Sequence, residues 1–364
     1  KPILGFFVSA NYNDQVDGRP FAIDQYRVKG DVREGLVTNP LRPTGSGVGV
    51  FYNTNYLTNN DFEKVKYRMN AQTKTFTGAG KIDVNVGPLI NLTFGGSMDY
   101  GHYNNYDFNN SLFNYNNNGI TDQLTWRVYG RFTQRFNSGK ETTESSSSLI
   151  KNAYYTVMVD YSKYHDKSQD PRHKDRIFNY GYVGQFITYR QKSYEPQDID
   201  GTTVLYHNGY QDTLVVFNSE PDFDADGNPE QYNPDLAAIN EQYFGLYDVV
   251  EDHYENMTQI LSANALRNGD QPESVYNLWN NIGTTYNGYS QTDNTQFRIT
   301  ASGNADIGNH AVTIGFEFEQ RDDRGFSVSP VGLWTLGRQL VGNHNSGHLQ
   351  ELDLENPTIT YFGT

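Results

Sequence analysis

The sequence contains no cysteine. A disulfide framework, a thiolate metal site and a cysteine nucleophile are therefore excluded. It also lacks any apolar run close to the roughly 20 residues that a membrane-spanning helix needs. Positive charge is scarce, since 28 Lys and Arg residues face 43 acidic ones and leave a formal net charge of -15. Because nucleic-acid binding needs a cationic surface, we expect no nucleic-acid partner.

Aromatic residues and glycine are abundant instead. Only 36% of the 364 residues are hydrophobic, yet 14% are aromatic, and the chain has 28 Tyr, 21 Phe and 34 Gly. Aromatic side chains favour the pleated surface of a sheet, so this composition predicts an all-β fold. The chain opens on Lys1 without a signal peptide, which is typical of a processed protein or an internal fragment.

The stretch "QLTWRVYGRFTQRF", residues 123–136, tests that prediction. On a helix, Arg135 would fall inside the apolar face and Trp126 would point the opposite way. At a period of two the residues separate cleanly. Leu124, Trp126, Val128, Phe132 and Phe136 share one face with Gly130 and Gln134, whereas the other face carries Thr125, Arg127, Tyr129, Arg131, Thr133 and Arg135. The stretch is predicted to be one strand, apolar on one side and cationic on the other.

The same alternation recurs along the chain. It is clear at 81–86, 91–103, 153–162, 297–307 and 312–319, and weaker at 3–12, 47–56, 180–190 and 203–216. The connections "GPLI" and "IGNH" are minimal, while the connections between them are long and polar.

Two architectures explain this pattern: a soluble β-sandwich, which buries the apolar faces, or a membrane β-barrel, which turns them to lipid. The clear strands reach about 10 to 13 residues, as a tilted membrane strand requires. Aromatic residues such as Tyr100, Phe136 and Tyr161 end the apolar faces, as in an interfacial girdle. These features favour an antiparallel transmembrane β-barrel with long extracellular loops, in the outer membrane of a Gram-negative cell.

In such a barrel Arg127, Arg131 and Arg135 point into a water-filled interior. They either keep the interior solvated and pair with acidic residues such as Glu317 and Glu319, or form a cationic strip along a solute path. On the second interpretation they are candidate substrate-binding residues.

Residues 217–293 form a connection too long to be passive. Asn233, Pro234 and Asp235 predict the start of a helix within it. Its aromatic residues either stack on a sugar or a peptide side chain, or form the small core that keeps the loop folded. Trp279 and Tyr286 are the candidate substrate-binding residues of this loop. The Asn-rich loop 104–119 has the same two interpretations, as a binding loop or an ordinary surface loop.

Within the connection 217–293, "DFDADGNPE" resembles part of a calcium-binding loop. The candidate ligands are Asp222, Asp224, Asp226, Asn228 and Glu230. The twelfth position is Asn233 instead of a bidentate Glu, and no helix clearly precedes the loop, so this is not a complete EF-hand. The sequence leaves two interpretations, a weak structural Ca²⁺ site that holds the loop together or an unliganded acidic turn.

No catalytic motif accompanies these features, and we expect no enzymatic activity. No nucleophile elbow, zincin motif or paired carboxylates are recognisable. His344 and His348 would suit a metal only on a helix, and Asn345, Ser346 and Gly347 argue against one.

Several stretches resemble the barrel of a TonB-dependent transporter of the Bacteroidota type, similar to the Oar-like group and, more loosely, to the SusC-like importers. They are residues 1–12, 152–175, 266–321 and 323–340. The resemblance implies an outer-membrane importer of a large solute such as a glycan or peptide, with a plug domain inside a barrel of about 22 strands. The partners that it implies are the TonB complex, outer-membrane lipid including lipopolysaccharide, and a surface lipoprotein lid.

The chain departs from that family in two respects. No plug or TonB box is recognisable, and the C-terminal "TITYFGT" is not the terminal aromatic strand of such barrels. About 10 to 12 readable strands cannot close a barrel of about 22. Residues 1–364 are therefore predicted to be a barrel segment, without the plug and the remaining strands. The alternatives are a complete smaller barrel acting as a pore or adhesin, and a secreted calcium-dependent β-sandwich that binds glycans.

Overall fold

The computed structural model describes residues 3–45, 49–136, 150–220, 222–223, 229–245, 254–348 and 358–360. Its strands are β1 (Leu4–Gln15), β2 (Gln25–Val28), β3 (Leu41–Pro43), β4 (Val50–Tyr52), β5 (Phe62–Val65), β6 (Thr73–Val86), β7 (Ile90–Asn105), β8 (Gly119–Arg135), β9 (Ile150–Gln169), β10 (Gln185–Ile199), β11 (Thr202–Asn218), β12 (Asp222–Phe223), β13 (Pro229–Glu230), β14 (Tyr289–Ile307), β15 (His310–Val328) and β16 (Thr358–Thr360). The helices are α1 (Gly30–Thr38), α2 (Pro234–Gly245), α3 (Met257–Ser262) and α4 (Pro330–His348). The predominance of antiparallel strands confirms the all-β prediction.

One large sheet organises the molecule. Its seven strands lie in the order β1-β6-β7-β8-β9-β14-β15, and every neighbouring pair is antiparallel. The strands are 12 to 20 residues long, well above the average of about five or six in soluble proteins. Within the described residues β1 and β15 do not pair with each other, so the sheet is open there.

The two ends of the sheet differ in their connections. At one end β6 joins β7 through residues 87–89, and β14 joins β15 through residues 308–309. At the opposite end the connections are residues 16–72, 106–118 and 170–288. The two minimal connections predicted from "GPLI" and "IGNH" are therefore confirmed as tight turns. The third connection at that end, residues 136–149, is as long as the connection 106–118 at the other end, so the alternation of short and long connections holds only in part. Residues 137–149 lie outside the described residues.

The strand register sorts side chains into the two predicted faces. One row of the apolar face is Phe6, Ile82, Phe94, Gly130, Val159, Ile299 and Phe318. The adjoining row of the polar face is Phe7, Lys81, Gly95, Tyr129, Asp160, Arg298 and Glu319. The alternation predicted for residues 123–136 is therefore confirmed across the sheet.

The buried core lies in the end cap, which we define as the three long connections together with α4. Leu41 and Tyr52 of the first connection pack in one cluster with Leu236 and Ile260 of the third. A second cluster joins all three connections through residues that include Val28, Phe113 and Val275. Since these clusters form between distant connections, the cap is a folded unit and not a set of separate loops.

Two strand predictions were wrong in extent. Residues 47–56 were expected to be a strand, but among the described residues 49–56 the strand covers only Val50–Tyr52 and is followed by a 3₁₀ turn at Asn53–Tyr56. The reason is that the Asn53 amide donates to the carbonyl oxygens of Asn39, at 2.7 Å, and Leu41, at 3.2 Å. Residues 180–184 are likewise not in a strand, because Tyr180 is buried in the cap and β10 begins at Gln185.

Helix predictions had mixed outcomes. The helix predicted from Asn233 onward is confirmed as α2. The sequence argument against a helix at His344 and His348 was wrong, since both belong to α4, although their side chains are outside the described part of the structure. Among the described residues, no helix combines the length and apolarity needed to cross a membrane.

Candidate functional site

The arginines of β8 lie on the polar face, as predicted, but they have different surroundings. Arg127 Nη2 lies 3.2 Å from Asp160 Oδ2, and Arg298 Nε donates to the same oxygen at 3.1 Å. The Asp160 side chain is only 3% exposed. One buried carboxylate therefore holds two guanidinium groups from β8 and β14, and Arg127 is not a free cation.

Asp160 is the residue that sequence reasoning missed. Glu317 and Glu319 were the predicted partners, yet Glu317 lies 3.9 Å from Arg298 and Glu319 lies 3.8 Å from Arg321. Asp160 sits between Tyr129 and Arg298 in the register of β8, β9 and β14. The sequence showed only that Asp160 is the one acidic residue in the alternating stretch 153–162. Its position beside the arginines follows from the strand register, which the structure supplies.

Arg131 and Arg135 line a separate polar cavity of about 480 Å³ at the short-turn end of the sheet. Its other polar side chains are Asn85, Asn91 and Thr133. Arg131 Nη2 lies 3.4 Å from Thr93 Oγ1, which in turn donates to Asp83 at 2.6 Å. The three arginines therefore do not form one continuous strip, since Arg127 is paired with Asp160 and the other two border this cavity.

A second polar cavity of about 280 Å³ lies within the end cap, and we call it the cap cavity. Its lining includes Asn116, Asn117, Arg172, His173, Asp235 and Thr285. These groups come from the second and third long connections, so the cavity exists only when those connections fold together. Amide, carboxylate, guanidinium and hydroxyl groups suit hydrogen bonding to a polar solute.

Two buried titratable residues shape the wall of the cap cavity. Asp170 Oδ1 accepts hydrogen bonds of 2.8 Å from the backbone N–H groups of Arg172 and His173. The backbone N–H of Asp170 donates to the Tyr180 hydroxyl at 2.9 Å. Burial lowers the pKa of His173 below its usual value, because removal from water disfavours the charged imidazolium.

Asn233 connects this wall to α2. Its carbonyl oxygen lies 2.8 Å from His173 Nε2, and its amide donates to the backbone oxygens of Asn179, at 2.7 Å, and Tyr182, at 2.8 Å. These bonds occupy the Asn233 side chain within the cap. The residue that stood at the twelfth position of the predicted calcium loop therefore has a structural role.

Trp279 and Tyr286 lie within the cap core. The Trp279 ring contacts Phe108 at a tilt, with ring centroids 4.8 Å apart, and packs against the cluster that contains Phe113. Tyr286 packs against a different cluster, formed by Tyr180, Tyr289 and Val331. The structure does not bring Trp279 and Tyr286 together in one pocket, and their positions favour the second interpretation, a small core that keeps the long loop folded.

The predicted calcium loop is described only at its ends. Asp222 pairs with Glu230 across the hairpin formed by β12 and β13. Asp224, Asp226 and Asn228 lie outside the described residues. In the described part of the chain no three His, Asp or Glu residues are grouped as a metal site. Calcium binding therefore stays a prediction from the sequence.

Comparisons of this chain with protein-family models, with curated proteins and with solved structures found no match.

Proposed function

We propose that this chain is a segment of an outer-membrane β-barrel that imports a large solute such as a glycan or peptide. The observation that carries the proposal is the uncovered apolar face of the seven-stranded sheet. Phe6 is 80% exposed, Ile314 is 72% exposed and Phe316 is 62% exposed. Within the described residues, no second sheet packs over this face. In water such a surface is unfavourable, whereas in lipid it is matched to its surroundings.

The apolar band also crosses the sheet at a slant. On β1 the band runs from Leu4 to Tyr12, and at the level of Tyr12 β15 carries Arg324. The band on β15 ends at Phe318, six residues before Arg324. At the other limit, Leu4 on β1 is level with Phe316 on β15, yet the band on β15 begins four residues earlier, at Val312. From β1 to β15 the band is therefore displaced along the strands by four residues at one limit and six at the other.

From this slant we obtain the angle between the strands and the membrane normal at which the apolar band would lie parallel to the membrane plane. A shift of about five residues is roughly 17 Å along a strand, and six strand-to-strand steps span roughly 29 Å. The corresponding tilt is about 30°, which approaches the 35–45° of strands in membrane barrels. A sheet crossing a bilayer at that angle presents a level apolar belt to the lipid.

Aromatic pairs lie near both limits of the belt. On the cap side, the Trp126 and Tyr161 rings are 5.4 Å apart. Toward the short turns, Tyr155 lies 5.8 Å from both Phe132 and Phe136. Tyr and Trp favour the membrane–water boundary because an apolar ring and a polar group meet different media. These pairs support the membrane placement.

In this proposal the polar face borders a water-filled interior, and the end cap lies outside the cell. The cap cavity, with its amide, carboxylate and guanidinium groups, is positioned to meet the solute before it enters the interior. The plug domain, the TonB complex and the lipoprotein lid rest on the family resemblance in sequence alone. The function is transport, without bond chemistry.

A matched pair of arginine variants tests the placement. Phe316→Arg puts a charge on the lipid side and costs about 2–4 kcal/mol near the bilayer midplane, whereas Glu317→Arg puts it on the polar side. We expect Phe316→Arg to lower the amount of the full-length protein in the outer-membrane fraction and Glu317→Arg to leave it nearly unchanged. Equal amounts of both variants, or solubility of the wild type without detergent, would overturn the placement and favour a sandwich.

A separate experiment tests active import. A compound that co-purifies with the full-length protein is identified by mass spectrometry, labelled and supplied to cells. We expect its uptake to stop when a protonophore collapses the inner-membrane gradient, because a TonB-type importer draws its energy there. Uptake that continues in the presence of the protonophore contradicts active import and favours the passive pore.

A further inference from the structure

The polar cavity that Arg131 and Arg135 border, which we call the short-turn cavity, presents positive charge without acidic neighbours in its wall. Its volume is about 480 Å³, and its other lining residues are Asn85, residues 87–90, Asn91 and Thr133. None of these lining residues is acidic. Arg131 and Arg135 are both exposed. In a chain with a formal net charge of -15, two such cations in one cavity are unexpected.

Other cations on the polar face of the sheet have acidic partners. They lie 3.1 to 3.8 Å from a carboxylate, in the pairs Lys81–Asp83, Arg127–Asp160, Arg298–Asp160 and Arg321–Glu319. Within the described residues Arg131 and Arg135 make no such pair. The one contact of the Arg131 guanidinium group there is the Thr93 hydroxyl at 3.4 Å, which is long for a hydrogen bond.

The neutral polar groups of the short-turn cavity already have partners in the sheet. Asn91 Nδ2 donates to Asn85 Oδ1 at 3.0 Å, and Thr133 Oγ1 lies 3.1 Å from Thr156 Oγ1. The free donors of the cavity are therefore concentrated in the two guanidinium groups. A planar guanidinium group with free N–H groups matches the two oxygens of a carboxylate.

The cavity lies at one limit of the apolar belt, on the polar side of the sheet. Arg131 and Arg135 alternate along β8 with Phe132 and Phe136, which belong to the aromatic pairs at the short-turn limit of the belt. In the placement proposed above the end cap lies outside the cell. A solute that passes through the interior therefore reaches the short-turn cavity last.

We propose that the short-turn cavity binds a carboxylate group of the imported solute before release. The inference rests on the proposed function and narrows it, because glycans and peptides that carry acidic units share the carboxylate. Cations that line a cleft without counter-charges raise the local concentration of anions. A neutral solute gains nothing from either arginine.

The two arginines should act together on one solute unit. They are four residues apart on one strand, so their Cα atoms are about 13 Å apart, with Thr133 between them. Both side chains line the same cavity, so a unit that occupies it meets both guanidinium groups. Removing either one should therefore weaken the hold of the other on the bound unit.

Phenylglyoxal, which modifies accessible guanidinium groups, measures the occupancy of the cavity. The full-length protein in detergent is treated with the reagent, and the modification rate of each arginine is followed by mass spectrometry of its peptides. The probe is methyl glucuronide, and methyl glucoside is its neutral match because it lacks only the carboxylate. N-acetylaspartate carries the same group on an amino acid, and inorganic phosphate is a separate arm. Ionic strength is held constant, because salt screens exposed charges.

We expect methyl glucuronide to slow the modification of Arg131 and Arg135 together and methyl glucoside to leave both rates unchanged. Arg324 is the internal control, since it is 77% exposed and lies on the opposite face, and its rate should not change with any probe. Arg135→Gln should raise the concentration of methyl glucuronide that half-protects Arg131 about tenfold, as the loss of one charge-assisted contact predicts. Arg131→Gln should have the same effect on Arg135, and Arg324→Gln should have none.

Three results overturn the carboxylate site. The first is equal protection by methyl glucuronide and methyl glucoside, or protection by neither. The second is protection by phosphate at a lower concentration than by either carboxylate probe, which identifies a phosphate site. The third is a lack of reaction at Arg131 and Arg135 without any probe, which shows that another part of the full-length chain covers them.

The remaining comparisons identify the source of the carboxylate and separate this inference from the proposed function. Stronger protection by methyl glucuronide supports an acidic glycan, and stronger protection by N-acetylaspartate supports an acidic peptide. Because the measurement is made in detergent, it does not depend on the membrane placement. Loss of the carboxylate site leaves that placement standing, and failure of the placement leaves the measured protection intact.

Discussion

At the scale of single residues, the cap depends on side chains that use their full hydrogen-bonding capacity. Asn233 is the clearest case, since its carbonyl oxygen and its amide group have partners on three other residues. Such a residue fixes two segments of the third connection against α2. A change at this position therefore acts through buried groups that lose their partners, and not through lost apolar area.

Asn233→Ala should destabilise the cap by about 3 kcal/mol, because it leaves the buried His173 ring and two backbone carbonyl oxygens without partners. The measurement is denaturant unfolding in detergent, followed by the fluorescence of Trp279 and Trp334, which lie in the cap. Asn208→Ala is the control, since Asn208 is exposed on β11, and it should change the free energy of unfolding by less than about 0.5 kcal/mol. Similar effects of the two substitutions would contradict this role of Asn233.

His173 should make the stability of the cap depend on pH. Burial lowers its pKa in the folded state below the ordinary value of 6.5, against the opposing influence of Asn233 and Asp170 and with that of Arg172 and Arg176. Below about pH 6.5 the unfolded chain therefore binds a proton that the folded cap does not. The stability is fully present above that pH and decreases as the pH falls toward the folded-state pKa.

The melting temperature of the cap, followed by tryptophan fluorescence between pH 7.5 and 5.5, measures this effect. His173→Gln should flatten the decrease, whereas His310→Gln, at an exposed position in the short-turn end, should leave it as in the wild type. A decrease that is the same in all three proteins would assign the pH dependence to other groups.

At the scale of elements, the sheet was predictable, whereas in the cap the sequence predicted the local helix α2 but not how the connections pack together. The period of two in residues 123–136 correctly gave both faces of β8, because alternation is a local consequence of the pleat. The cap depends on contacts between distant parts of the chain, such as those joining Val28, Phe113 and Val275. For the same reason sequence reasoning found the arginines but not Asp160, whose role depends on the register of three strands.

Asp160→Asn should destabilise the sheet by about 2 kcal/mol, because the partly exposed guanidinium groups of Arg127 and Arg298 lose their common buried carboxylate. Denaturant unfolding of the detergent-solubilised protein measures the change. Asp99→Asn is the matched control, since Asp99 is exposed on the same face of β7. Adding Arg298→Gln to Asp160→Asn should recover part of the loss, and a purely additive double variant would show that the three groups are not coupled.

The acidic loop between β12 and β13 is an element whose metal binding can be tested directly. Weak extracellular calcium sites have dissociation constants of about 10⁻⁴–10⁻³ M, so about 10 mM calcium should stabilise the folded cap by roughly 1.4–2.7 kcal/mol. The expected result is a higher melting temperature with calcium than with EGTA, and no such difference in the double variant Asp224→Asn, Asp226→Asn. A wild-type melting temperature that is unaffected by EGTA would identify an unliganded acidic turn.

At the scale of the whole molecule, stability is distributed unevenly. The clusters of buried hydrophobic residues lie mainly in the cap, whereas the apolar face of the sheet has few buried side chains. The sheet is thus stabilised by the hydrogen bonds between its strands and by the medium in contact with its apolar face. The cap is stabilised by its own packed side chains. Detergent or lipid should therefore stabilise the sheet more than the cap, and two separate unfolding transitions are the expected sign of this division.

For the membrane placement that we propose, the unequal ends of the sheet also give insertion a direction. At one end the described turns, residues 87–89 and 308–309, carry little that must leave water, while the opposite end carries the cap, whose longest connection spans 119 residues, 170–288. Only the light end can cross a preformed bilayer without first unfolding a packed body. Protein that enters empty vesicles from outside would consequently keep all of its bulky end on the outer side, where an added protease can reach it in every molecule.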